Sequence, residues 1–305
     1  MTSYRLGINS CFAVKRWPQP ERWARLIRDE LELDLVQHSL DLVDLDAPAA
    51  ALTEQATRLQ AACTGTGLAL HSTFTGLAAY SSNMLLHPDR GARDRARNWY
   101  RRVIGFTADT GARSTGGHIG AFSVEDYRDR ARRAQLWDEL RESLAELAGY
   151  ARDRGLSSLL AENLAAAREP STMAMIESLL TGGDQAHVPV TLCLDVGHQC
   201  VPGTAGADRD PYAWLERLGA RAPVVQLQQT DGRADHHSPF TPETNAAGII
   251  EPAKVLAALD RSGAADVALI LEIIPPFEQD DDHVLADLRQ SAAYWRAALR
   301  DHAGG

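Results

Sequence analysis

Hydrophobic and polar positions along the chain alternate between two regimes. Short runs dense in Val, Ile and Leu recur eight times, at residues 5–9, 33–38, 68–73, 114–119, 157–163, 190–195, 224–229 and 267–273. They lack strict two-residue alternation, which suits strands buried on both faces of a parallel sheet. Longer stretches lie between them, and residues 93–110, 132–154 and 284–300 place apolar side chains at i, i+3, i+4 and i+7, the period of an amphipathic helix. Parallel neighbours need a crossover connection, so this order implies right-handed βαβ units. Eight units at about 38 residues each match a (β/α)8 TIM barrel of the α/β class, and no linker-like stretch divides residues 1–305 into two domains. The alternative, an open doubly wound sheet, lacks its nucleotide fingerprint. No Gly-x-Gly-x-x-Gly follows the first strand, no phosphate loop is present, and Gly116-Gly117-His118-Ile119-Gly120 has the wrong spacing.

Composition narrows the classes. With 45% apolar and 24% charged residues, the chain can bury a substantial core and is not a disordered segment. Its 41 acidic against 31 basic residues give a net charge of −10, which opposes a nucleic-acid partner. No membrane-length apolar window and no signal-like start occur, so the expected location is the cytosol. The four cysteines (Cys11, Cys63, Cys193, Cys200) are expected as reduced thiols. A homo-oligomer stays open.

In a barrel the catalytic face lies at the C-terminal ends of the strands. Those positions are rich in metal-ligating types: Gln37-His38, His71, His118, Glu162-Asn163, Asp195 with His198, Gln226 and Gln228, and Glu272. Glu162, Asp195, Gln228 and Glu272 are 33, 33 and 44 residues apart, about one βα unit each, which brings them to one point at the mouth. One such carboxylate is as well explained by a salt bridge; four oxygen donors in succession point to a hard divalent cation such as Mg²⁺ or Mn²⁺ rather than Zn²⁺.

The series Glu162, Asp195-Val196-Gly197-His198, Gln228 and Glu272, with His71 and His118 upstream, resembles the xylose isomerase-like TIM-barrel superfamily over essentially the whole chain. That superfamily holds sugar isomerases, ketose 3-epimerases, hydroxypyruvate isomerases and apurinic-site endonucleases. Gln228 stands where the ketose 3-epimerases normally have His, as in the hydroxypyruvate isomerase branch. Residues 9–18 (NSCFAVKRWP), 37–42 (QHSLDL) and 167–172 (AREPST) look more closely like the erythrulose-1-phosphate 3-epimerases of bacterial erythritol catabolism.

The resemblance implies a single Mn²⁺ or Mg²⁺ ion, with Co²⁺ as a substitute, on Glu162, Asp195, Gln228 and Glu272. It also implies C3 proton transfer on a small phosphorylated ketose through an enediolate, with Glu162 and Glu272 as the opposed acid/base pair. His198 is expected on the substrate side. His71 and His118 read equally as substrate contacts or as satisfied barrel-mouth residues. Lys15, Arg16 and Arg168, after strands one and five, are candidate phosphate holders; their bland reading is solvated loop charge. Trp17, Phe74 and Phe240 either wall the pocket or simply pack. Asp235 and His237 have the Asp-x-His spacing that completes a three-zinc site in the endonuclease branch, but with Gln228 in place of His they read as a substrate-facing loop. Other ketose epimerases and hydroxypyruvate-type isomerases remain alternatives, with a zinc endonuclease or an idle sugar-binding barrel behind them. The acidic run 278–282 is expected to open the last helix, where acids favour the dipole.

Overall fold

The computed structural model describes residues 2–304. Eight parallel strands close into a barrel in chain order: β1 (Ser3–Asn9), β2 (Leu35–Ser39), β3 (Ala69–Phe74), β4 (Ser114–Gly117), β5 (Ser158–Glu162), β6 (Val190–Asp195), β7 (Val224–Leu227) and β8 (Asp266–Leu271). Each expected strand is present, within three residues at either end. Closure runs through β1 and β8, which pair from Ser3 opposite Asp266 to Ile8 opposite Leu271.

Two apolar cores follow from the two-sided burial of the strands. Leu35, Phe74, Leu160, Cys193, Val224, Ala268 and Ile270 fill the interior, and a larger shell packs the outer strand faces against the helices. Long helices span Arg90–Asp109, Arg130–Asp153 and Asp281–Gly304, covering the three expected ones to within one residue at their C-terminal ends. Asp280 accepts from the backbone N–H groups of Asp282 and His283, so the acidic run does open the final helix. Gly116 has a strict steric reason: a Cβ there would stand 1.8 Å from the Leu160 carbonyl oxygen of the neighbouring strand.

One expectation changes here, and two open alternatives resolve. The β2–β3 register shifts between Val36 and Gln37, opposite Leu70 and Ser72, and leaves His71 as the extra residue of a bulge. His71 lies three residues short of the end of β3, where burial and the charge of Arg5, near the start of β1, hold its pKa down at about 4. It therefore belongs to the lower half of the barrel and not to the mouth. Phe74 fills the barrel interior and Phe240 packs against Tyr294 and Trp295, so neither walls a pocket. All four cysteines are free thiols, and among the described residues no helix is long and apolar enough to cross a membrane.

Candidate active site at the barrel mouth

Glu162 and Asp195 are the last residues of β5 and β6, while Gln228 and Glu272 stand one residue past β7 and β8. Strand ends of a parallel barrel lie at one level, so the sequence spacing becomes spatial proximity. The Asn163 carboxamide ties two of these ends together: its oxygen accepts from the Asp195 N–H at 2.8 Å and its nitrogen donates to the Asp195 carbonyl at 2.9 Å.

Each buried carboxylate is held by part of its acceptor capacity. Glu272 Oε1 accepts from Asn9 Nδ2 at 2.7 Å and Gln226 Nε2 at 2.8 Å. Both amides are braced by Gln37 Oε1. Asp195 Oδ1 accepts from the Gly197 N–H and Gln228 Nε2, and Glu162 Oε2 accepts from the Tyr80 hydroxyl. Among the described residues Glu162 Oε1, Asp195 Oδ2 and His198 Nε2 are buried without a hydrogen-bond partner, His198 Nε2 having only an ion-pair contact with Asp235 at 3.2 Å. Buried polar atoms are rarely left so. These three residues also offer ligand-capable atoms within 4.8 Å of one another, a lining for a ligand.

His198 closes one side. Its Nδ1 donates to the Asn163 carbonyl at 2.6 Å, which directs Nε2 at Asp195 (3.9 Å) and Asp235 (3.2 Å). His237, held at φ +46°, sets Nε2 3.2 Å from Asp235 and Nδ1 3.8 Å from Glu272 Oε2. Two donor groups thus share Asp195: one with Glu162 and His198, one with His237 and Glu272; within each group, ligand-capable atoms lie within 4.8 Å of one another. His198, Asp235 and His237 form a third such group. The mixture of carboxylate oxygens and imidazole nitrogens, with three orphaned atoms, fits a divalent cation.

Gln228 departs from expectation. Its Oε1 accepts from the His237 N–H at 2.6 Å, and its amide nitrogen is turned toward Asp195 (3.0 Å) and Asp235 (2.7 Å). As placed, it is a hydrogen-bond donor between two acids, and the ligand-capable atom on the β7 side belongs to His237.

Electrostatics match this crowding. Glu162, Asp195, Asp235 and Glu272 pair only with histidines, with no Lys or Arg among the described residues. Burial, opposed by His237 and reinforced by the Asp195 charge, pushes the Glu272 carboxyl up to about 8. Burial pushes Glu162 up as well, against the pull of His198 and with a further push from Glu272. His237 rises to about 9: burial works against it, but Asp235 and Glu272 outweigh burial. Cations on the site would reverse the carboxylate shifts.

The remaining candidates divide. His118, just past β4, is fully buried, stacks on Tyr80 (4.8 Å between ring centres) and bonds the Ser82 carbonyl through Nε2. It supports Tyr80 and lies behind the mouth. Arg16 is committed: it donates to the carbonyls of Pro276 and Gln279 and pairs with Asp281. Lys15, at φ +63°, projects its ammonium over the Phe277 ring (4.1 Å), with no carboxylate of the described residues within 4.0 Å. Arg168 is exposed and uses Nε on the Phe122 carbonyl. Trp17 is half-buried beside Phe12. Sequence reasoning missed Asn9 and Tyr80. The first was visible as a polar strand end; the second comes from a loop and carries no periodic signal.

The family model described as xylose isomerase-like TIM barrel matches residues 30–298. The D-erythrulose 1-phosphate 3-epimerase of Brucella abortus is 28% identical over 296 residues, covering 95% of this chain and 94% of that protein. A crystal structure of a Rhodospirillum rubrum protein assigned as a xylose isomerase shares 34% identity at a TM-score of 0.89, over 97% of this chain and 99% of that one. The D-psicose 3-epimerase of Clostridium cellulolyticum H10 has the same fold at 15% identity, with a TM-score of 0.71 over 97% and 99% of the two chains.

Proposed function

Because the chain belongs to the xylose isomerase-like TIM barrel family, we propose that it is a divalent-metal-dependent ketose-phosphate 3-epimerase, interconverting L- and D-erythrulose 1-phosphate. The observation that carries this reading is the pair Glu162 and Glu272. They stand at the ends of β5 and β8, each with one oxygen anchored and one left free, on either side of Asp195. The similarity to the Brucella enzyme supports the choice of substrate.

Glu162, Asp195 and Glu272 would hold the cation, with His237 completing the set. Its imidazole nitrogen favours Mn²⁺ or Co²⁺ over Mg²⁺. When bound, the cation supplies Lewis-acid polarisation of the ketose carbonyl. The chain's own part is proton movement. One glutamate takes the C3 proton through its free oxygen and the other delivers a proton to the opposite face, which inverts the centre. The Asn9–Gln226–Gln37 amide cluster fixes Glu272, and burial of the mouth excludes bulk water. Lys15 and Arg168 are the cations left to meet the phosphate, and His198 faces the substrate.

The test is proton exchange in D₂O with Mn²⁺, using four- to six-carbon ketoses and their 1-phosphates. Deuterium at C3 of erythrulose 1-phosphate, lost on chelation and restored by Mn²⁺, is expected. Turnover by metal-stripped enzyme, or no C3 exchange on any ketose, refutes the reading. The His198–Asp235–His237 group also favours a second reading, a multi-zinc phosphodiesterase. Three tightly held zinc ions per chain with cleavage of abasic DNA would establish that reading instead.

A further inference from the structure

The two glutamates are held in physically different ways. Glu272 receives two amide hydrogen bonds from β1 and β7, inside the strand framework. Glu162 has one donor among the described residues, the Tyr80 hydroxyl, which bonds Oε2 and leaves Oε1 without a partner. Tyr80 closes the short turn Leu77–Tyr80 that follows β3, so the orientation of Glu162 depends on a loop.

That turn is itself pinned. Asp41, from the segment after β2, accepts from the N–H of Leu77 at 2.7 Å and of Ala78 at 3.1 Å. The carboxylate reaches them because residue 76 is glycine: a Cβ there would lie 2.2 Å from Asp41 Oδ2. On its far side the Tyr80 ring stacks on His118, whose N–H donates to Thr75 Oγ1 at 2.8 Å. Asp41 and His118 therefore grip the turn from both sides and aim one phenol at one carboxylate.

We propose that Tyr80, held by Asp41, is the positioning residue for Glu162, so that the two proton-transferring faces of the site are set independently, one by the loop after β3 and one by the strand framework. This rests on the two-base reading above. Tyr80 selects which Glu162 oxygen faces the substrate. Since its hydroxyl bonds Glu162 and makes no hydrogen bond to Glu272 or its anchors among the described residues, its removal disturbs one stereochemical direction.

The test compares Y80F, D41A, D41N and E162Q by C3 exchange into each separate epimer of erythrulose 1-phosphate in D₂O with Mn²⁺, together with kcat, KM and Mn²⁺ affinity. In Y80F, exchange from the epimer that depends on Glu162 should fall by about tenfold or more, the scale of one lost hydrogen bond to a charged group. Exchange from the other epimer should stay within about twofold, and KM and Mn²⁺ affinity within about threefold. D41A should reproduce the same one-sided loss in weaker form, and D41N, which keeps an acceptor oxygen, should recover part of it. Equal loss for both epimers, or none, in Y80F while E162Q remains one-sided overturns the positioning role alone. If E162Q exchanges both epimers at the wild-type rate, the two-base reading fails and this proposal falls with it.

Discussion

Replacing Glu272 by Gln keeps the size of the side chain and an oxygen to accept from Asn9 and Gln226, while removing the charge. In the metal-free protein the folded state raises this carboxyl from 4.5 to about 8. A raised carboxyl costs nothing below its unfolded pKa and destabilises the fold progressively as pH climbs through that window, because ionisation is easier in the unfolded chain. At about 1.4 kcal/mol per pH unit the cost reaches at most ~5 kcal/mol above pH 8. With a melting entropy near 2 cal/mol/K per residue, that is roughly 4–8 °C for a chain of this length. Metal-free E272Q should therefore melt higher than the wild type at pH 8.5, and the gap should shrink to about 2 °C or less at pH 5. Adding Mn²⁺ should narrow the gap at pH 8.5, since a hundredfold excess over Kd stabilises the wild type by about 2.7 kcal/mol and the variant has lost a charged ligand. Calorimetry from pH 5 to 9, with chelator and then with Mn²⁺, measures both. A gap that does not change with pH, or one that Mn²⁺ fails to narrow, would refute the reasoning.

Of the two lysines in the chain, Lys254 pairs with Glu251 while Lys15 stands over Phe277 without a carboxylate. K15M should lower kcat/KM for the ketose 1-phosphate by about 10-fold or more and change that for the unphosphorylated ketose by much less; equal effects on both substrates would remove Lys15 from the phosphate. H237A should weaken Mn²⁺ binding, by titration calorimetry, more than Q228L does, because Gln228 spends its oxygen on the His237 N–H. The opposite ranking would return the ligand role to the carboxamide. G116A should fail to give a soluble barrel, or should melt far below the wild type, since its methyl group would overlap the Leu160 carbonyl; a wild-type melting curve would contradict the close approach.

How much of this was legible in one dimension depends on the range of the forces involved. Strand and helix periods are local, and a chain of repeating βα units must set its strand ends on a common rim. The barrel, its eight strands and the convergence of Glu162, Asp195 and Glu272 therefore follow from hydrophobic pattern and spacing. The tertiary structure alone decided what depends on rotamer, register or loop path. A one-residue bulge withdrew His71 from the mouth. The backbone N–H of His237, delivered by a loop, turned the Gln228 oxygen away from the acids. Asp41 and Gly76 carried Tyr80 onto Glu162 across 82 residues of chain. No local pattern specifies such contacts, because each is the outcome of packing elements distant in sequence against one another.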